Sequence, residues 1–236
     1  MNYIGIDISK VSTAVVVEVG GVEHIFSYNN KKPNYKWNKE ISDLVGIRTY
    51  EYDNGEEDYS KSEINKLSVF IKISNDIIGD ILSVIDASEE TVIAIEGYSY
   101  GKSSDLIIDL VGIGGLVRAK IYENVPNIKE MRILSPKKLK TVACELAYGS
   151  STVTTGKRVL KEEVVINTNP SGTKGGDFDK HDMFRSIVDS GIKYKLCDYI
   201  RAKYDEITSS KSFPKPLEDI DDAFWLKEAI KDQKRT

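Results

Sequence analysis

Two apolar, β-branched runs in this chain each close on an acid, and that constrains the fold more than any other feature. The first is Tyr3-Ile4-Gly5-Ile6-Asp7-Ile8, and the second is Val92-Ile93-Ala94-Ile95-Glu96. Both read as buried strands. An acid at the end of a buried strand is costly unless something neutralises it. A third acidic group opens a helix near the C-terminus, in Leu217-Glu218-Asp219-Ile220-Asp221-Asp222-Ala223. Asp219 and Asp222 are three apart, so one helix face presents both. Several such acids in one fold suggest a bound cation.

At 236 residues the chain is long enough for one substantial domain with insertions. No run approaches a membrane span. The opening Met1-Asn2-Tyr3-Ile4 lacks the basic region of a secretory signal. Cys144 and Cys197 lack metal-ligand spacing, which argues against structural zinc and for reduced thiols in a cytoplasmic setting. The formal net charge of -4 argues mildly against a nucleic-acid binder. The distribution softens this: bases gather between Lys129 and Lys180, including Arg132, Lys137, Lys138, Lys140, Lys157, Arg158, Lys161 and Lys174. A local basic face can bind phosphates under a negative total.

The order of elements implies a mixed α/β fold. Residues 3–8, 12–19 and 22–28 read as a meander, with Gly20-Gly21 as a hairpin turn. Residues 29–62 read as a long excursion and 63–86 as an amphipathic helix. Residues 91–96 form a strand. A helix follows to about Lys120, then a strand over 128–134 and a helix opened by Pro136. From about 142 to 175 the pattern weakens, with a hairpin suggested by 153–159 and 163–166. Residues 180–190, 192–207 and 218–232 read as helices, with a linker over 209–216. One mixed sheet flanked by helices follows.

Clustered carboxylates repel unless a cation neutralises them. Two hard divalent ions satisfy such a cluster and support phosphodiester hydrolysis by activating water and stabilising a leaving oxygen. Alternation places Gly5 and Asp7 on one side of the first strand, where the closing helix has to pack.

In this order the motifs resemble the RuvC branch of the ribonuclease-H-like nucleases, the Holliday junction resolvases. Ile4-Gly5-Ile6-Asp7 resembles the family's opening strand, and Ile95-Glu96-Gly97-Tyr98-Ser99-Tyr100 its strand ending in Ile-Glu. The helix through Gly112-Ile113-Gly114-Gly115 fits the pattern too. Ser135-Pro136-Lys137-Lys138-Leu139-Lys140 resembles its basic helix, Gly176 to Lys180 a helix start, and Asp219-x-x-Asp222-Ala223 its closing acidic pair. The resemblance implies a ribonuclease-H-like fold: a central five-stranded mixed sheet, three antiparallel strands then two parallel, flanked by helices. It also implies a single nuclease domain over 1–236 with insertions at about 29–62 and 142–175.

By the same resemblance Asp7, Glu96, Asp219 and Asp222 are the catalytic metal ligands for two Mg2+ ions, with Mn2+ able to substitute. Asp221 leaves the helical ligand open by one position. Lys140 and Lys180 fall on family lysines near the scissile phosphate and DNA backbone, with Lys137 and Lys138 alongside. Tyr98 and Tyr100 fall where an aromatic stacks near the junction centre, although a tyrosine packed at a strand end is an equal reading. His181, among Asp177, Asp179 and Asp182, reads as a helix-start residue rather than a ligand, and His24 as structural. The implied partners are branched DNA and a second copy in a C2 homodimer. The helices over 63–86 and 104–118 are candidates for that interface. No membrane and no nucleotide cofactor is expected. The acidic, expanded form looks most like phage- or virus-encoded members, hence a host-cell cytoplasm. Competing readings are a flap or branched-DNA nuclease with the same metal chemistry, an actin-like ATPase or kinase sharing the Gly-x-Asp strand, and an inactive DNA-binding scaffold.

Overall fold

The computed structural model describes residues 1–9, 11–30, 36–51, 58–98, 104–149, 157–160, 164–167, 178–209 and 214–231. The chain runs β1 (Asn2–Asp7), β2 (Ser12–Val19), β3 (Val22–Asn30), α1 (Lys36–Glu40), β4 (Val45–Tyr50) and α2 (Tyr59–Val84). It continues through β5 (Thr91–Glu96), α3 (Ser104–Asn124), β6 (Ile128–Leu134) and α4 (Pro136–Tyr148). A separate hairpin, β7 (Lys157–Leu160) and β8 (Val164–Asn167), precedes α5 (Lys180–Asp189), α6 (Lys195–Thr208) and α7 (Leu217–Lys231).

The main sheet has the order β4-β3-β2-β1-β5-β6. Strands β1 to β3 are antiparallel, and β5 and β6 run parallel to β1. The expected fold, three antiparallel strands followed by two parallel ones with helices on both faces, is present. The sheet carries one strand more than expected: β4 pairs parallel with β3, Ile25 opposite Val45 through Asn30 opposite Tyr50. The stretch 29–62 therefore extends the sheet, because Val45, Ile47 and Tyr50 supply enough β-branched and aromatic surface for an edge strand. The β2–β3 turn uses Gly20 and Gly21 at φ +58° and +83°, the double positive φ that a tight two-residue hairpin needs.

Helix α2 starts at Tyr59 because Asp58 caps it, accepting from the Lys61 amide at 3.0 Å. Helix α4 continues to Tyr148 on the buried positions Leu139, Val142, Ala143 and Cys144, so regular structure reaches beyond 142. The suggested hairpin is present as β7 and β8; positions 153–156 and 163 of that expectation lie outside the described residues. Both cysteines are free and buried. No described helix is long and apolar enough to cross a membrane.

Period-two alternation splits the sheet between two cores. Ile4, Ile6, Val15, Val17, Ile93 and Ile95 face α2 and α3. Ala14, Val16, Val92 and Ala94 face the layer that contains α7. Helix α7 is enclosed, with β1, β2 and β5 on one side and α4 and α5 on the other. Its residues from Leu217 to Ile230 are almost all buried, so its charges sort to the two ends instead of to one face. Glu218 and Asp219 occupy the first turn and Lys231 the last, which complements the helix dipole, while Glu228 near the far end pairs with Lys227. Lys227 is fully buried at that far end, 2.8 Å from Glu23 and 2.7 Å from Glu228, and pins α7 to the β2–β3 hairpin.

The closest approach of helix to sheet is at Gly5. A Cβ there would lie 2.0 Å from the Ala223 carbonyl oxygen and 2.5 Å from the Lys227 amide nitrogen. Backbone on both sides leaves nothing to give way. Gly5→Ala is expected to destabilise the fold by about 3 kcal/mol or more in urea unfolding. Gly115→Ala, on an exposed turn of α3 with open space around it, is expected to stabilise by roughly 0.5–1 kcal/mol. Equal effects at the two positions would contradict close packing at Gly5.

Candidate active site

Asp7 and Glu96 end neighbouring parallel strands. The last registered pair is Ile6 opposite Ile95, so the two acids sit one step further along. Ile6 and Ile95 both face the α2–α3 core, and alternation sends both acids to the α7 side. The close approach at Gly5 puts the first turns of α7 directly above them. Asp219 and Asp222 come down from that helix on the same face, and all four carboxylates line one cleft of ≈ 470 Å³. The four sequence-predicted acids thus meet at one place.

Burial and mutual repulsion dominate the electrostatics. Asp7 is 3% exposed. Burial first, then the charges of Glu96, Asp219 and Asp222, hold its carboxyl well above the usual range. Proximity of the Glu96 side chain adds to that upward shift. Asp222 is pushed up to about 7, by burial first, with Glu96 and Asp219 adding repulsion and Lys180 and Lys215 offsetting part of it.

Two lysines neutralise part of the cluster. Lys180 pairs with Glu218 and lies 3.6 Å from Asp222. Lys215 pairs with Asp219 and lies 3.2 Å from Glu218. Glu218 and Lys215 line the cleft and were not among the residues picked from sequence. The available signal was spacing: Lys215 stands three and four residues ahead of Glu218 and Asp219, in the stretch read as a linker.

Lys140 and Tyr98 also line the cleft. The Arg118 guanidinium lies 4.5 Å from the Tyr98 ring centroid and donates to the Glu96 carbonyl at 3.3 Å. One face of Tyr98 is therefore covered. Lys137 and Lys138 sit in the first turn of α4, where Ser135 caps the helix by accepting from the Lys138 amide at 3.3 Å; neither lines the cleft. Tyr100 lies outside the described residues. Asp221 is buried but absent from the cleft wall. Asp222 is the one of the two that lines the cleft. Asp179 and Asp182 beside His181 form a capping box at the start of α5, which accounts for those acids structurally.

The donors fit a hard divalent cation: they are carboxylate oxygens, and Asp219 Oδ2 is buried with no hydrogen-bond partner among the described residues. Lys180 and Lys215 already pair with acids of this cluster. Among the described residues no three acidic, histidine or cysteine side chains already stand as ligands of one ion.

No protein-family model matches this chain, and no curated protein matches its sequence. Two similar solved structures are T. thermophilus RuvC in complex with Holliday junction substrate and a Thermus thermophilus RuvC structure. The first has a TM-score of 0.39 at 10% identity, covering 96% of this chain and 90% of that one. The second has a TM-score of 0.37 at 10% identity, covering 96% and 91%. The functional reading rests on the geometry of the cleft.

A raised folded-state pKa means the folded chain holds more protons than the unfolded one. For Asp222 this applies between about 4 and about 7. Stability is greatest below that window and falls as pH rises through it; Asp7 acts with the same sign. In EDTA, the urea midpoint is expected to decline from about pH 4 to about pH 7, and Asp222→Asn should make the decline shallower. An unchanged slope in Asp222→Asn would contradict this electrostatic account.

Proposed function

We propose that this chain is a metal-dependent endonuclease that hydrolyses DNA phosphodiesters at four-way junctions. The carrying observation is the meeting of Asp7, Glu96, Asp219 and Asp222 in one cleft also lined by Lys140, Lys180 and Lys215. Acids that attract cations, next to ammonium groups that attract phosphates, suit a phosphodiester substrate. Asp7, Glu96, Asp219 and Asp222 would hold two Mg2+ ions. Such ions supply an activated water and stabilise the leaving oxygen.

The chain's own residues do the positioning. Burial of Asp7 and Asp219 fixes their direction. Lys140 and Lys180, near the starts of α4 and α5, offer point charges to the DNA backbone. Ile8, Leu139 and Met183 supply apolar parts of the cleft lining. The choice of a four-way junction comes from the sequence resemblance. A junction with approximate two-fold symmetry calls for two sites in a C2 homodimer. Supporting that, α2 and α3 expose Ile64 (63%), Leu67 (50%), Ile108 (66%) and Val111 (46%).

The test is cleavage of a synthetic four-way junction with nicks mapped, with and without Mg2+. Paired symmetric nicks that need the metal are expected; nicks confined to flaps would favour a different branched substrate. Asp7→Asn should abolish cutting and leave junction binding within about two-fold, since binding rests on the basic groups. Loss of binding together with cutting would contradict this division. The double substitution Lys140→Ala, Lys180→Ala should weaken binding and reduce the log–log salt slope by about 2. An unchanged slope would remove these lysines from the phosphate path.

A further inference from the structure

Lys215 is the least expected member of the cleft. It stands just ahead of α7, and its ammonium is paired with Asp219 Oδ1. It also lies 3.2 Å from Glu218 Oε2. Asp219 has a 3% exposed side chain, and its second oxygen, Oδ2, has no hydrogen-bond partner among the described residues. So the carboxylate that faces the cleft from α7 is half occupied by an ammonium and half unsatisfied. The charge of Lys215 also reaches Asp7 and Asp222.

A divalent ion needs carboxylate oxygens at roughly 2.0–2.6 Å. An ion seated on the free Oδ2 of Asp219 would stand across a single carboxylate from the ammonium on Oδ1. A fixed positive charge among the same acids repels that ion, and burial strengthens the repulsion. Glu218 provides an alternative partner: Lys215 is already beside Oε2, while Oε1 is held by Lys180. A small rotation of the Lys215 side chain exchanges Asp219 for Glu218 without leaving the ammonium unpaired.

We propose that Lys215 is an internal counterion that competes with a divalent cation for Asp219, and that it transfers to Glu218 when the cation binds. This rests on the metal reading of the cleft. It makes Lys215 a positioning residue, one that keeps the acidic cluster neutralised and ordered until an ion arrives.

The experiment measures Mn2+ binding to the whole chain by titration calorimetry, together with the thermal midpoint with and without Mn2+. Lys215→Met is expected to bind Mn2+ about ten-fold more tightly than the parent chain. It should also melt lower in EDTA and gain more from Mn2+. Lys215→Arg keeps the charge and should stay within about two-fold of the parent. If Lys215→Met fails to fold, Lys215→Gln keeps a donor for Asp219 without the charge and should also bind more tightly. Equal or weaker Mn2+ binding in the uncharged variants would overturn the proposal, and weaker binding would make Lys215 an orienting partner of Asp219. Asp219→Asn separates the two levels. If the parent chain binds Mn2+ and Asp219→Asn does not, an unchanged Lys215→Met overturns the counterion role alone. If Asp219→Asn binds as the parent does, or the parent binds no Mn2+, the metal reading falls and the counterion role with it.

Discussion

The close contact of α7 with β1 at Gly5 is the constraint on which the rest of the structure depends. Two acids at strand ends and two on a helix are far apart in sequence, and only a direct helix-on-strand approach brings them into one cleft. Any side chain at position 5 would hold the helix off by the thickness of a methyl group, because Ala223 and Lys227 backbone atoms already occupy the space. The far end of the same helix is fixed by the fully buried Lys227 among Glu18, Glu23 and Glu228. An interior ion pair is weak as a source of net stability but expensive to break on one side. It therefore acts as a register pin: sliding α7 by one turn would take Lys227 away from Glu18 and Glu23. Packing at one end and charge at the other set where Asp219 and Asp222 stand over Asp7.

Much of this was legible in the sequence, for identifiable reasons. Strand alternation is strict, so Gly5 and Asp7 could be placed on one face, and Ile4 and Ile6 on the other, from spacing alone. The i, i+3 relation of Asp219 and Asp222 could be read in the same way. Adjacency of the first and fifth strands is a long-range property that no local pattern carries. The choice between Asp221 and Asp222 was out of reach because α7 is buried all round. A helix with no polar face gives no sequence signal for its rotation. β4 was hidden because its burial alternates poorly, with Gly46, Arg48 and Thr49 among its six residues. Lys215 and Glu218 were passed over because a lysine before a proline reads as linker. Only the folded register shows that the lysine reaches forward one turn into the cleft.

The basic stretch from Lys129 to Lys180 illustrates how composition misleads about surfaces. Lys129 is 2.6 Å from Glu90 and Arg132 is 2.5 Å from Glu130. These bases lie along the edge strand β6 and are neutralised locally. Charged residues there also discourage edge-to-edge pairing. The cations that reach the cleft are Lys140 in the second turn of α4, Lys180 at the start of α5, and Lys215 just ahead of α7. One linear cluster therefore divides into an edge that is already paired and a cleft wall that is not confined to one segment.

This division bears on the negative net charge. A basic total matters for non-specific attraction to nucleic acid over distances comparable to the Debye length, about 8–10 Å at physiological salt. Contacts inside a partly buried cleft act at shorter range and are screened less. In this chain the acids of the cleft are partly balanced by Lys180 and Lys215, and a divalent cation would complete the neutralisation. A protein built this way gains little long-range steering and depends on the local state of the cleft. Under the proposed function the acids govern ion occupancy and cutting, while phosphate affinity rests on Lys140 and Lys180 at the cleft wall. The whole-chain charge is thus a poor guide to what the site binds, because the groups that matter are a few local ones.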